Sequence, residues 1–333
     1  MKSWKTRGGA AAFLLMAIAI SRFFAVEWNK QRPEMTENVP RYTLISSQSG
    51  TYWDDIAIGA MQQAQSAGMS LKCVTLANST QEGMIEQIDY AVAAAVDGLI
   101  LMGYLNNQPG IEAVAKAREA GVSVVAIDAC APETQINALI GSDNAQAGRM
   151  AAREVAAATQ GNACVLMVAY SLTARTQNER IEGFKAEIKA NYPDMKCVQT
   201  IVDGGDMYRL RKNLGQALSE FPGINAIVCV GASSSDMLGS IASLKPKLGG
   251  EIKVVCFDTS DNVNRFIQEG LYEATIAQNP VGMGKSAMRI LENIRVGEKI
   301  EKQKIYIPLR VLTREALAES DGQEQEKAAW IVY

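Results

Sequence analysis

From Tyr42 onward the chain repeats one unit: a short apolar run without alternation, a polar loop, then apolar residues at helical spacing. Strand-like runs fall at 42–47, 71–76, 98–102 and 122–128, with helical patterns near 53–67, 82–95 and 110–120 between them. Ala67-Gly68 and Ala120-Gly121 mark helix ends, where glycine takes up the left-handed conformation that stops a helix. Continuous apolar strands separated by helices predict a parallel sheet covered on both faces.

A second series follows the first. A helix is predicted from Asn144 to Ala158, with Ser142-Asp143-Asn144 supplying N-cap residues. Strands are expected at 163–169, 197–202, 226–230 and 252–257, and helical patterns lie near 177–190, 206–220, 235–244 and 261–269. Each series has about four strands, enough for one doubly wound domain. The fold class is therefore α/β, with two doubly wound parallel-sheet lobes, a hinge and an interlobe cleft. Thr275–Gln278, a helix over 281–296 and Lys304–Leu312 are too little for a third domain and are expected to cross back. The first lobe is then 41–142 plus 279–308, and the second 143–278 plus 309–318, with a tail at 319–333.

The N-terminus breaks this pattern. Lys2, Lys5 and Arg7 precede the apolar run Ala10–Ile20, the form of a secretory signal. The run is short for a span of ~20 residues, and Arg22 interrupts its extension. Residues 1–26 are read as a signal peptide or membrane anchor and 27–40, with Pro33 and Pro40, as a tether. Export to the periplasm or the outer face of the cytoplasmic membrane is expected.

Composition narrows the chemistry. The 333 residues are 48% hydrophobic and 21% charged with a net charge of -3, and no basic face points to nucleic acid. Histidine is absent, which removes Ser-His-Asp and Cys-His catalysis and His-ligated zinc. The six cysteines form no CxxC motif. Cys73, Cys164, Cys229 and Cys256 lie in or beside apolar runs and are expected to be buried free thiols. No cofactor or metal is expected. The first loop, Ser46–Trp53, holds one glycine and no GxGxxG. Gly282-Met283-Gly284-Lys285-Ser286 ends like a P-loop, but Asn279 stands where its first glycine belongs, and the segment reads as helix.

What remains is a pair of carboxylates, Asp128 and Asp258, each delivered at the end of an apolar run, and two adjacent aromatics, Tyr52 and Trp53. Ligands of open α/β sheets bind outside the carboxyl ends of the strands. Aromatic faces suit the C–H faces of a sugar; alternatively, Trp53 simply packs at the helix start.

Asp128 after a strand, Ser142-Asp143-Asn144, Asn178-Glu179-Arg180-Ile181-Glu182-Gly183-Phe184, Cys256-Phe257-Asp258 and Ala274-Thr275-Ile276-Ala277-Gln278 occur in that order. With this spacing the chain resembles the ribose-type periplasmic sugar-binding proteins, of the type I periplasmic binding protein fold, over residues 41–312. The resemblance implies a ligand site made by Tyr52, Trp53, Asp128, Arg180, Asp258 and Gln278. It implies capture of a sugar-like small molecule by a monomer and delivery to an ABC transporter permease. A sensor subunit for a membrane receptor kinase shares the fold and stays open as the alternative. A repressor would need an N-terminal helix-turn-helix, where this chain has the export-like segment. A glycosidase using Asp128 and Asp258 is disfavoured by the paired lobes and the lack of a further nucleophile motif. Three positions depart from the family: Gly50 and Gly231-Ala232 where asparagine or asparagine-aspartate is usual, and Ala129 where arginine often stands. Each removes polar reach and is expected to leave space, which favours a hexose, a glycoside or a modified sugar over ribose.

Overall fold

The computed structural model describes residues 39–103, 105, 107–128, 135–241, 251–301 and 303–320. The signal or anchor, most of the tether, Ala129, Cys130 and the segment after Ser320 lie outside the described residues.

The first lobe begins with β1 (Arg41–Ser46), α1 (Thr51–Ser66), β2 (Ser70–Thr75), α2 (Gln81–Ala93), β3 (Gly98–Met102), α3 (Gln108–Glu119), β4 (Ser123–Ile127) and β5 (Ala138–Gly141). The second holds α4 (Asn144–Thr159), β6 (Cys164–Ala169), α5 (Arg175–Asn191), β7 (Lys196–Val202), α6 (Met207–Glu220), β8 (Ala226–Cys229), α7 (Ala232–Gly239), β9 (Lys253–Phe257), α8 (Asp261–Gln268) and β10 (Ala274–Ala277). The chain then runs through α9 (Pro280–Arg295), β11 (Lys304–Tyr306), β12 (Arg310–Thr313) and α10 (Arg314–Ser320).

Local chemistry starts these helices. Thr80, Asn107, Asp143, Asp206, Ser260 and Asn279 each accept, through the side chain, a backbone N–H three residues on. That satisfies donors left free in a first helical turn.

The strands form two six-stranded sheets of the same order, β11-β5-β4-β3-β1-β2 and β12-β10-β9-β8-β6-β7. All pairs are parallel except β10 with β12. Each sheet is buried on both faces, which explains why the central strands carry no alternation. On β4, Val125 and Ile127 enter one core while Val124 and Ala126 enter the other. On β9, Val255 and Phe257 face one core and Val254 and Cys256 the opposite one.

The chain crosses between sheets three times: after β5 into α4, after β10 into α9, and from β11 to β12. Helix α4 packs on α5 and α9 packs on α1, in both cases through glycines. A Cβ at Gly284 would land on the carbonyl oxygen of Ile56, and one at Gly59 on that of Val281. The second lobe repeats this, with Gly148 against the Arg180 carbonyl and Gly183 against that of Ala145. Backbone meets backbone at both crossings.

Four details depart from the sequence reading. Strand β5 was not anticipated, because Ala138–Gly141 is only four residues long. The sheets have six strands each rather than four: β5 and β11 are added to the first, β10 and β12 to the second. The helix expected at 235–244 ends at Gly239. Cys73 is exposed rather than buried, because β2 is an edge strand with a largely exposed pattern. Cys229 and Cys256 are buried and Cys164 and Cys197 half-buried.

Candidate functional site

Both strand-end carboxylates sit in the same unusual backbone state. Asp128 follows β4 with φ 68° and Asp258 follows β9 with φ 65°. In each lobe the aspartate N–H still donates to the neighbouring strand, to Ile140 O at 2.7 Å and to Ile276 O at 3.0 Å. The left-handed conformation then turns the chain off the sheet and leaves the carboxylate at its carboxyl end. Asp tolerates this conformation better than most residues, though it costs a typical L-residue ~1–2 kcal/mol. The Thr275 hydroxyl donates to the Asp258 carbonyl at 2.6 Å and pins the second turn.

Arg180 is 5% exposed and lies beside Asp258, its Nη1 3.7 Å from Oδ2. Its Nε donates to Asn144 Oδ1 and its Nη1 to the Val230 carbonyl, both at 2.9 Å. The guanidinium also stands over the Phe257 ring, 4.6 Å from the centroid. The Gly148 contact, made to the carbonyl of Arg180 itself, sets the depth of this residue. Asn144 is free for the arginine because Asp143, rather than Asn144, caps α4 by accepting Gln146 N–H at 2.8 Å.

Gln278 joins the two lobes. Its Nε2 donates to Asp258 Oδ1 at 2.6 Å, while its Oε1 accepts from the Ser142 hydroxyl at 2.8 Å and the Tyr52 hydroxyl at 3.4 Å. Donors at one end and an acceptor at the other leave a single amide orientation. Tyr52 also reaches Met283 Sδ at 3.5 Å and meets Trp53 edge-on, with ring centroids 5.1 Å apart. Trp53 is half-buried against the first-lobe core, so it packs there and keeps part of its surface exposed.

Asp128 differs from Asp258. Its Oδ1 is buried and has no hydrogen-bond partner among the described residues. Burial raises its pKa above the usual carboxylate range; Arg180 opposes that rise and Asp258 adds to it. Burial likewise pushes the Tyr52 phenol well up, with Asp128 and then Asp258 reinforcing it. These influences place Tyr52, Asp128, Asp258 and Arg180 in one electrostatic neighbourhood, drawn from both sheets. Ser142 joins them through Gln278 and Asn144 through Arg180, though the sequence marks neither as a ligand residue; Gln177, which nothing in the sequence marks, lies on the same helix as Arg180. The first two read there as capping residues, and Gln177 sits one helical turn before Arg180.

The departures from family pattern fare differently. A Cβ at Gly50 would meet nothing within 4 Å, so that position is open. Gly231 does not leave empty space: the carboxamide of Gln177 approaches it, with Nε2 2.9 Å from where a Cβ would stand. Ala129 lies outside the described residues. Among the described residues no group of three His, Cys, Asp or Glu side chains is placed to hold a metal.

Comparison with known proteins gives the same architecture. The "Periplasmic binding protein domain" family model matches residues 42–299. The ribose import binding protein RbsB of Bacillus subtilis is 27% identical over 308 residues, covering 91% of this chain and 95% of that protein. A sugar-binding protein of a sugar ABC transporter from Bacillus halodurans superposes with TM-score 0.77 at 23% identity, over 84% of this chain and 99% of that one. The structure described as the XylFII–LytSN complex matches at 27% identity and TM-score 0.71, over 84% and 99%. With the family model spanning most of the chain and both sheets in place, the protein belongs to the periplasmic binding protein domain family.

Proposed function

We propose that the protein is an extracytoplasmic solute-binding protein that captures a sugar or sugar-like molecule between its lobes and delivers it to an ABC transporter permease. The observation that carries this reading is Oδ1 of Asp128, buried and without a hydrogen-bond partner among the described residues, in the same electrostatic neighbourhood as the Asp258–Arg180–Gln278 chain. A buried acceptor without a donor is costly, and a ligand hydroxyl removes that cost. Arg180 and Gln278 supply donors to ligand oxygens, and Tyr52 and Trp53 supply ring surface for the C–H face of a sugar. Lobe closure is a hinge motion about the three crossings. The ligand is released unchanged, by a monomer acting outside the cytoplasm. A hexose, a glycoside or a modified sugar is proposed over ribose because Gly50 carries no polar side chain where the family usually has asparagine. The names of the relatives, ribose import and sugar-binding proteins, support the ligand class.

A thermal-shift screen of the purified protein against monosaccharides, alditols and glycosides tests this. A ligand at 100 times its Kd adds ~2.7 kcal/mol of stability. A transition moved by an amino acid or peptide, and by no sugar-like compound, refutes the ligand class. Hydrolysis of a glycoside during incubation refutes the binding-only role.

A second reading is a ligand-sensing subunit for a membrane receptor kinase, and the likeness to XylFII, described in complex with LytSN, supports a role for this fold in binding another component. No helix among the described residues is long and apolar enough to cross a membrane. Co-purification of the protein with a permease or with a kinase separates the two readings.

A further inference from the structure

Gln177 is the third residue of α5, one turn before Arg180. Its Oε1 accepts the backbone N–H of Tyr170 at 2.9 Å and, at longer range, that of Ser171 at 3.5 Å. A carboxamide has one accepting end. With that end held by the β6–α5 loop, Nε2 points away from the loop, toward Gly231. Any Cβ at position 231 would crowd it, so glycine there is what allows the amide its place. The nitrogen carries two N–H donors, and no hydrogen bond from it is made among the described residues. It lies on the same wall as Arg180, whose Nη1 donates to the carbonyl of Val230, the neighbour of Gly231. Gln177 is half-buried, so its amide is both held and reachable.

We propose that Gln177 determines specificity within the sugar site, its Nε2 donating to one oxygen of the bound sugar. The inference rests on the sugar-binding reading above. The site then demands an acceptor at that point of the ligand: a hydroxyl, a ring oxygen or a glycosidic oxygen. A deoxy carbon leaves the donor unpaired, and an ammonium group, which has no lone pair, repels it. Gly231 is part of the same device, since its lack of a side chain makes room for the donor.

The test uses calorimetry on the full-length protein with D-ribose, D-xylose, D-glucose, D-galactose and their methyl glycosides. Gln177→Glu keeps an acceptor for Tyr170 N–H while removing the donor. Gly231→Ala keeps the amide but displaces it. Each is expected to weaken the best-bound sugar by about fivefold or more, the scale of one ordinary hydrogen bond, and to change the order of affinities. The ligand-free melting temperature should hold. The inference is overturned if both variants bind every sugar within about twofold of wild type. It is also overturned if only Gln177→Leu, which loses the loop contact as well, weakens binding, because the residue then merely anchors the loop. If the unaltered protein binds an amino acid or a peptide and no sugar-like compound, the sugar reading itself fails and this inference falls with it.

Discussion

Asp258 carries three separable burdens, and substitution can take them apart. It occupies a left-handed turn, accepts from Gln278 Nε2 at 2.6 Å, and faces Arg180 at 3.7 Å. In Asp258→Asn the turn survives, because Asn tolerates the left-handed region, and an oxygen remains for Gln278. Only the charge is lost. Removing one member of a fully buried pair costs ~3–5 kcal/mol. Here Arg180 keeps two hydrogen bonds, and the Asp258 side chain is 14% exposed, so ~1–2 kcal/mol is the expected cost. Asp258→Ala adds the strain of an alanine in the left-handed region, ~1 kcal/mol. It also leaves the buried Gln278 Nε2 without its acceptor, ~1 kcal/mol or more. Asp258→Gly relieves the strain but not the lost acceptor, and should fall between the two. Urea unfolding of the ligand-free proteins measures all three. The order of stability should be wild type, Asn, Gly, Ala, with the alanine variant about 2 kcal/mol below the asparagine one. If Ala and Asn unfold at the same urea concentration, neither the strained turn nor the Gln278 bond matters as described. All three variants should lose sugar binding.

Two further outcomes follow from geometry described above. Gly284→Ala and Gly148→Ala each place a methyl group on a backbone carbonyl, so each should destabilise by ~1–3 kcal/mol. Thermal denaturation that leaves either variant at the wild-type midpoint would contradict the helix contacts. Asp128 is an acid whose native pKa is raised above its unfolded value of ~3.9. The neutral carboxyl therefore stabilises the ligand-free protein fully below that value, and the contribution is lost as pH rises through the native pKa. Asp128→Asn, permanently neutral, should raise the ligand-free melting temperature relative to wild type at pH 7 and do so less at pH 4. An equal difference at both pH values would show that the carboxylate is not strained by burial.

Much of this architecture could be read from the chain alone, and the physical reasons are specific. The runs ending in Asp128 and Asp258 are continuous and apolar because both faces of β4 and β9 are buried, so their strand ends stand out. The carboxylates are legible as a pair for the same reason. Their left-handed turns are not, since nothing local distinguishes them from ordinary strand exits. Strand β5 is too short to announce itself, and β12 gives no sign that it runs antiparallel. Cys73 looks buried because Val74 and Leu71 flank it, yet edge position is decided by sheet order, a property of the whole fold. Gln177 was invisible for a related reason. Its meaning comes from Gly231, which is distant in sequence and meets it only across the packed ends of α5 and β8.

The equivalence of the two lobes has a consequence for how a ligand lies between them. Both sheets have one strand order, and matching glycines set Ile56 of α1 and Arg180 of α5 at the same depth. At these matched places the side chains have parted company. The third residue is Trp53 in α1 and Gln177 in α5, and the sixth is Ile56 against Arg180. At the third place one half thus sets a ring where the other sets an amide, while at the sixth Ile56 is sealed in the first-lobe core and Arg180 stands beside Asp258. Had the halves stayed alike, a bound molecule could have been turned end for end at no cost. With unlike halves the two orientations differ in energy, and the site accepts a molecule one way round.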